Sequence, residues 1–173
     1  MTDRPTAYQS EPRDLTWLRP DPSNPNVHPP ESIAAIAASI HAFGFDQPIL
    51  ATRDGRIIAG HGRYLAAQQL GYTQVPVVVT DLSSLDATRR LIGDNRIAEL
   101  SHRDNDALAT LLEQLRADDA ANLAGTGYDD AQVDALLASL APPSFEPVGI
   151  EEQGRLDQKA SITCPHCHHE FIP

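Results

Sequence analysis

The sequence predicts a mixed fold of short strands and amphipathic helices, one ordinary domain followed by a tail, and three observations predict it. Apolar residues recur at three- and four-residue spacing in several segments, and short runs rich in Val, Ile and Thr stand between them. Glycines, prolines and an Asp-Gly step mark the places where one pattern gives way to the other. The length of 173 residues fits one domain and an extension rather than two full domains.

Each element follows from local chemistry. Residues 1–14 are polar, carry charges of both signs and read as a flexible N-terminus. Residues 14–18 (Asp-Leu-Thr-Trp-Leu) have short strand character and run into 19–30, where five prolines among twelve residues forbid a helix. From Pro30 onward Ile33, Ile36, Ala37, Ile40 and Phe43 share one helix face, and Gly44 stands in the right place to end the helix. Residues 48–52 and 57–59 read as a hairpin that turns at Asp54-Gly55. Residues 62–70 form a helix closed by Gly71, and 75–79 a β-branched strand whose Pro76 favours a strand start. Ser83-Ser84 opens a helix carrying Leu85, Leu91, Ile92, Ile97 and Leu100, weakened in its middle by Gly93 and Asp94-Asn95. Two more amphipathic helices, 104–115 and 129–140, begin with acidic residues that suit the helix dipole. Residues 141–160, with Pro142, Pro143, Pro147, Gly149 and Gly154, read as a linker, and 161–173 as a short tail.

Charge excludes several functions. The net charge is −11, which argues against nonspecific DNA binding over the whole surface. Residues 101–153 hold eleven acidic and two basic groups, the wrong sign for a major-groove reader, whereas 15–100 hold seven basic and eight acidic groups. A local basic groove therefore remains available in the first hundred residues. The acidic helices read as a solvated surface or, more sharply, as a docking face for a basic partner. Lys159 is the one lysine, so a Walker A phosphate loop and Schiff-base chemistry are excluded and phosphate binding falls to Arg and backbone amides. No apolar run approaches the ~18 residues that span a bilayer, and the polar start resembles neither a secretory signal nor a transit peptide. A cytoplasmic protein with no membrane partner is expected.

The segment 57–67 carries the most chemistry. A buried strand, Ile57-Ile58-Ala59, turns through Gly60-His61-Gly62-Arg63 directly into a helix. Such a turn aims several amides at one spot, glycine lets an anion approach the backbone, and Arg63 adds a cationic fork with His61 as a second donor. The functional reading is a phosphate cradle. The alternative is that the glycines serve only sterics and His61 only caps the helix.

The ordered set Asn24-Pro25-Asn26-Val27-His28, Ala38-Ser39-Ile40, Phe43-Gly44-Phe45, Gln47-Pro48-Ile49, Gly60-His61-Gly62-Arg63, Ala66-Ala67, Leu70-Gly71 and Val75-Pro76-Val77 resembles the ParB/sulfiredoxin-like N-terminal domain over roughly residues 15–100. The continuation 93–101 and Gly127-Tyr128-Asp129-Asp130 is similar to a phage and mobile-element branch associated with DNA methyltransferases. The resemblance implies an α+β domain, a small mixed sheet with helices, whose glycine turn holds nucleotide phosphates. In segregation ParB proteins that pocket binds CTP with magnesium through a Gly-Glu-Arg-Arg turn and a later Glu-Asn pair. Here the turn lacks the Glu and one Arg, and Asp94-Asn95 stands where the pair would fall. Sulfiredoxins carry a catalytic Cys at the place of His61, so peroxiredoxin repair is excluded. Free-serine kinases of the superfamily have a Gly-His-His-Arg turn, one position away from this one.

The resemblance thus implies a nucleoside triphosphate, CTP or another, held at Gly60, His61, Gly62 and Arg63 with Gln47 lining the pocket. Asp94 and Asn95 offer oxygen ligands for magnesium. On a regular helix Asp94 and Glu99 diverge by about 140 degrees, so both reach one ion only across a break near Gly93. The expected role is a nucleotide-binding module, of weak catalytic power or none, acting with DNA-modification or DNA-processing machinery and contacting DNA, a DNA methyltransferase or a nuclease partner. The rivals are a ParB-like DNA nuclease and a nucleotide-dependent small-molecule kinase, with His28 or Glu31 as the base.

The tail, Cys164-Pro165-His166-Cys167-His168-His169-Glu170-Phe171, holds both cysteines at the spacing of a zinc knuckle. Four ligands are needed, so His168 and His169, a second copy in a homodimer, or a partner protein would complete the shell. This ending is also similar to Cys-Pro-x-Cys-x-x-x-Phe termini that look like half a zinc ribbon.

Overall fold

The computed structural model describes residues 8–118, 123–142 and 161–171. Four strands, β1 (Ser10–Asp14), β2 (Ile49–Thr52), β3 (Ile57–Ala59) and β4 (Gln74–Thr80), form one sheet in the order β1-β4-β2-β3. β2 runs parallel to β4, while the β1–β4 and β2–β3 pairs are antiparallel. The helices are α1 (Pro30–Phe43), α2 (His61–Gln69), α3 (Ser84–Glu99), α4 (Asn105–Ala117) and α5 (Asp130–Leu140). The expected mixed sheet with helices is present.

Period-2 alternation divides the core. Ile49, Ala51 and Ile57 face one side of the sheet and pack with Val75, Val77, Leu15, Leu18 and Ala67 of α2. Leu50 and Ile58 face the other side, where Ala87 and Leu91 of α3 cover them. α1 joins the first layer by packing Ala37 and Ile40 against Ala66 of α2. Its end is the predicted one: Gly44 adopts φ 83 and its N–H donates to the Ile40 carbonyl at 2.9 Å.

Two expectations fail locally. The first strand is Ser10–Asp14, inside the segment expected to be flexible, and 15–17 form a 3-10 turn. The strand Ser-Glu-Pro-Arg-Asp has no apolar alternation and an exposed face, so its place comes from backbone pairing along the sheet edge. Pro12 stands opposite Pro76, which puts the two residues without an N–H at a non-hydrogen-bonded pair of the ladder. The second failure is the weak middle of α3. The helix runs without interruption through Gly93, a position with open space around it, because Ala87 and Leu91 bury its other face and Ser83 caps its start by accepting from the Asp86 N–H.

α4 and α5 pack on each other through buried Ala109, Leu112 and Val133. Arg116 bridges them to Asp134 at 2.7 Å and Asp130 at 3.3 Å. Gly125, between these helices, lies so close to Phe43 and Ala42 of α1 that a Cβ would stand 2.6 Å from the Phe43 ring. Most of the expected linker, 143–160, and residues 1–7 lie outside the described residues. The tail is a separate unit in which β5 (Ile162–Thr163) pairs antiparallel with β6 (Glu170–Phe171). Among the described residues no helix is long and apolar enough to cross a membrane.

Candidate functional site

β3 ends at Ala59, and the chain enters α2 through Gly60 at φ 98, a left-handed conformation that costs other L-residues about 1–2 kcal/mol. A Cβ at Gly60 would also stand 3.0 Å from the Arg63 guanidinium. Gly62 is a different case, since its φ is ordinary and the constraint is space. A Cβ there would come within 2.7 Å of Ile36 Cδ1 and 3.1 Å of the His28 ring. The first intrahelical bond runs from the Tyr64 N–H to the Gly60 carbonyl at 2.9 Å. The amides of His61, Gly62 and Arg63 therefore precede the helical ladder, at the positive end of the helix.

This turn forms the floor of a cavity of about 350 Å³. The proline-rich loop contributes Asn24, Asn26 and His28, α1 contributes Ser39, and α3 contributes Asp94 and Asn95. Arg63 is braced across it, donating to Gln47 Oε1 at 3.1 Å and to the Pro48 carbonyl at 3.3 Å. Its Nε is buried without a partner, and so is Asn95 Nδ2. Burial pulls the Arg63 guanidinium down from its ordinary range, against the carboxylates of Asp94 and Asp46. Arg63 and Asn95 thus both line the cavity and each carries a buried donor without a partner, a donor-rich wall that suits an acceptor-rich ligand.

His61 is buried and its Nε2 accepts the Asp21 N–H at 3.1 Å. That bond fixes the neutral tautomer with the proton on Nδ1, which is the donor the ring retains. Burial holds this imidazole below the usual histidine range, with Asp21 opposing and His28 reinforcing the effect. Asp21 is itself buried, which pushes its carboxyl up. Hydrogen bonds from the Ser23 hydroxyl and amide and the Arg56 guanidinium outweigh that and leave it below the ordinary range. Arg56 reaches Asp21 at 3.2 Å and the Ser84 carbonyl at 3.2 Å, tying the turn to the start of α3.

All the residues expected at a nucleotide site, Gly60, His61, Gly62, Arg63 and Gln47, line this cavity, and Asp94 and Asn95 join them from α3. Asp94 also accepts from Arg90 at 2.7 Å, one turn earlier on α3. Glu99 pairs with Arg96 at 3.0 Å instead. His28 lines the cavity and Glu31 does not. Sequence reasoning missed Asn24, Asn26, Ser39 and Asp46 as lining groups, and Asp21 and Arg56 as the support behind His61. Ser39 carried a usable signal, a polar residue between the inward-facing Ile36 and Ile40. Asp21-Pro22-Ser23 carried another, since an Asp accepting from the amide two residues on is an Asx turn. The tail residues Cys164, Cys167, His168 and His169 share one turn, yet among the described residues no three His, Cys, Asp or Glu side chains gather as a metal cage. A second hollow of about 420 Å³ lies beside Arg53 and Arg56, whose charges are already matched by Asp81 and Asp21.

The family model for the ParB N-terminal domain matches residues 14–96. Over 67 residues the chain is 43% identical to the ParB-like nuclease domain-containing protein YnaK of Escherichia coli (strain K12), a match that covers 39% of this chain and 77% of that protein. It is 39% identical over 72 residues to the probable chromosome 1-partitioning protein ParB of Deinococcus radiodurans, covering 40% of this chain but 25% of that one. Among solved structures it is similar to the C-terminally truncated chromosome-partitioning protein ParB from Caulobacter crescentus complexed with CTP-gamma-S. That likeness has a TM-score of 0.65 and 26% identity, over 78% of this chain and 79% of the other. The matched span contains β2, β3 and β4, α1, α2, the glycine turn and the α3 residues of the cavity, and the chain belongs to the ParB N-terminal-domain family.

Proposed function

We propose that this chain is a nucleotide-binding module, with CTP or another nucleoside triphosphate as ligand. The observation that carries the reading is the convergence on one cavity of a glycine-built helix start and two buried donors without partners, Arg63 Nε and Asn95 Nδ2. The amides at 61–63 and the Arg63 fork hold phosphate oxygens, and Gln47 keeps the fork in place. The His61 Nδ1–H is a further donor toward phosphate or sugar. Asp94 and Asn95 supply oxygens to a magnesium ion that shields the phosphate charge. The likeness to a ParB bound to a CTP analogue supports the ligand class.

The wider role is that of a module carried by a phage or mobile element, working with DNA-modification or DNA-processing machinery and meeting DNA through it. Its acidic α4–α5 hairpin supports docking to a basic surface, such as that of a DNA methyltransferase or nuclease, and such an association weakens steeply with added salt.

Calorimetric titration of CTP, ATP, GTP and UTP with magnesium, into the wild type and Arg63→Ala, tests the site. A charge-assisted hydrogen bond to phosphate is worth about 1.5–3 kcal/mol, so the variant loses roughly tenfold to a hundredfold in affinity while keeping its fold. Absence of binding by all four nucleotides, or equal binding by the variant, overturns the reading.

A further inference from the structure

The tail hairpin holds a second site, independent of the nucleotide cavity. The strands β5 and β6 pair Ile162 with Phe171 and Thr163 with Glu170. The turn between them is closed by two backbone bonds, the Cys164 N–H to the His169 carbonyl and the His168 N–H to the Cys164 carbonyl, each 2.9 Å. His168 takes φ 57, which lets the turn close without a glycine. Inside the turn the amides of His166 and Cys167 and the Cys167 thiol all donate to Cys164 Sγ. These contacts turn the amides at 166 and 167 toward the first sulfur. Both cysteines are free, and the thiol contact places the two sulfurs side by side.

Two adjacent cysteine sulfurs on a tight turn, with amides directed at the first, can supply one edge of a tetrahedral soft-metal shell. The other two ligands are not gathered on the described part of the hairpin, and this sequence holds no further cysteine. Beside the turn, Ile162 and Phe171 lie opposite each other and are each about half exposed, an apolar pair that a second hairpin would cover. A two-fold arrangement supplies the same ligands twice and closes the shell with the same patch on both sides.

We propose that the hairpin is a two-thiolate half-site for zinc, completed by the same hairpin of a second copy, so that Cys164 and Cys167 of two chains hold one ion. Zinc content and sedimentation equilibrium on the full chain, under reducing conditions and without nucleotide, test this. One zinc per two chains, in a dimer that a chelator converts to monomer, is the expected result. Cys164→Ser and Cys167→Ser each remove both the metal and the dimer, while His168→Ala and His169→Ala keep them. Cobalt substitution gives a thiolate charge-transfer intensity appropriate to four sulfurs per ion. One zinc per monomeric chain, loss of metal in either histidine variant, or no zinc retained by the wild type overturns the proposal. Because the hairpin is a unit separate from the cavity domain, the thermal melt and nucleotide titration of each cysteine variant report separately whether that domain has folded.

Discussion

Replacing Gly62 by alanine puts a carbon 2.7 Å from Ile36 Cδ1 and 3.1 Å from two atoms of the His28 ring. The nearest atom is the flexible end of a side chain, so α1 need not move, but the Ile36 methyl must swing away and the His28 ring must give. Overpacking of this kind costs about 1–3 kcal/mol. Alanine in the first turn of α2 returns up to about 1 kcal/mol of helix propensity, so the net loss is roughly 0–3 kcal/mol. Ile36→Val removes the clashing methyl and by itself costs about 0.5–1.5 kcal/mol. In the double variant the penalty and the void cancel, and urea melts of the four proteins give a favourable coupling of about 1 kcal/mol or more. Under the proposed cradle, nucleotide affinity behaves differently, because the added methyl stays beside Ile36 and His28, both cavity-lining residues, and rescue of stability leaves binding weak. Additivity of the two substitutions within about 0.5 kcal/mol would refute the packing argument. Full binding by Gly62→Ala would refute the cradle.

Gly55 gives a harsher result: at φ 87, with a Cβ placed 2.3 Å from the Trp17 carbonyl oxygen, Gly55→Ala combines backbone strain with a clash against main chain. It should lower the melting temperature far more than Gly62→Ala, and a neutral outcome would contradict the hairpin geometry. Arg56→Ala strips the partner from buried Asp21. With Arg56 itself a quarter exposed, the loss is about 2 kcal/mol rather than the ~3–5 of a fully buried pair. Asp21→Asn in the same background should recover part of it in a urea melt. His61 is held below the ordinary histidine range, so the unfolded chain takes up its proton first, near pH ~6.5. Its contribution is complete above that pH and is lost as pH falls through the lower folded value. The slope of stability against pH in this window should flatten in His61→Asn, and an unchanged slope would remove His61 as its source.

Much of the fold was legible because its signals are local. The one-face pattern of Ile36, Ala37 and Ile40 with Gly44, the Asp54-Gly55 turn, and Ser83 before α3 each act within a few residues, and each is where the pattern put it. β1 was not legible, since its partner β4 lies some sixty residues away and an exposed edge strand has no need of apolar alternation. Gly93 misled for the opposite reason. Its cost of about 1 kcal/mol is a local term, outweighed by the burial of Ala87 and Leu91, which no helix-propensity scale includes. At the site, the glycine turn stood out because strand, glycines and arginine are contiguous. The support behind it, Asp21, Arg56 and the Asn24-Asn26 rim, comes from two other segments, the proline-rich loop and the β2–β3 turn, that only the folded sheet brings to the glycine turn.

The charge balance of the cavity bears on how a nucleotide would be held. Where the turn it resembles has two arginines, this one has a single arginine, and Arg63 faces a cavity that also contains Asp46 and Asp94. His61, in the place of the missing acid, is neutral and has given its Nε2 to the Asp21 amide. One guanidinium, three helix-start amides and one imidazole N–H are good at orienting phosphate oxygens but poor at neutralising three or four negative charges beside two carboxylates. The proposed magnesium ion would act on both sides of this balance, offsetting the phosphates and turning Asp94 from a repulsive neighbour into an attractive one. Asp94 is already shared with Arg90, so the proposed ion would have to compete with that guanidinium for the carboxylate. The same helix receives Arg56 at its first residue, and Arg56 leads through Asp21 back to His61.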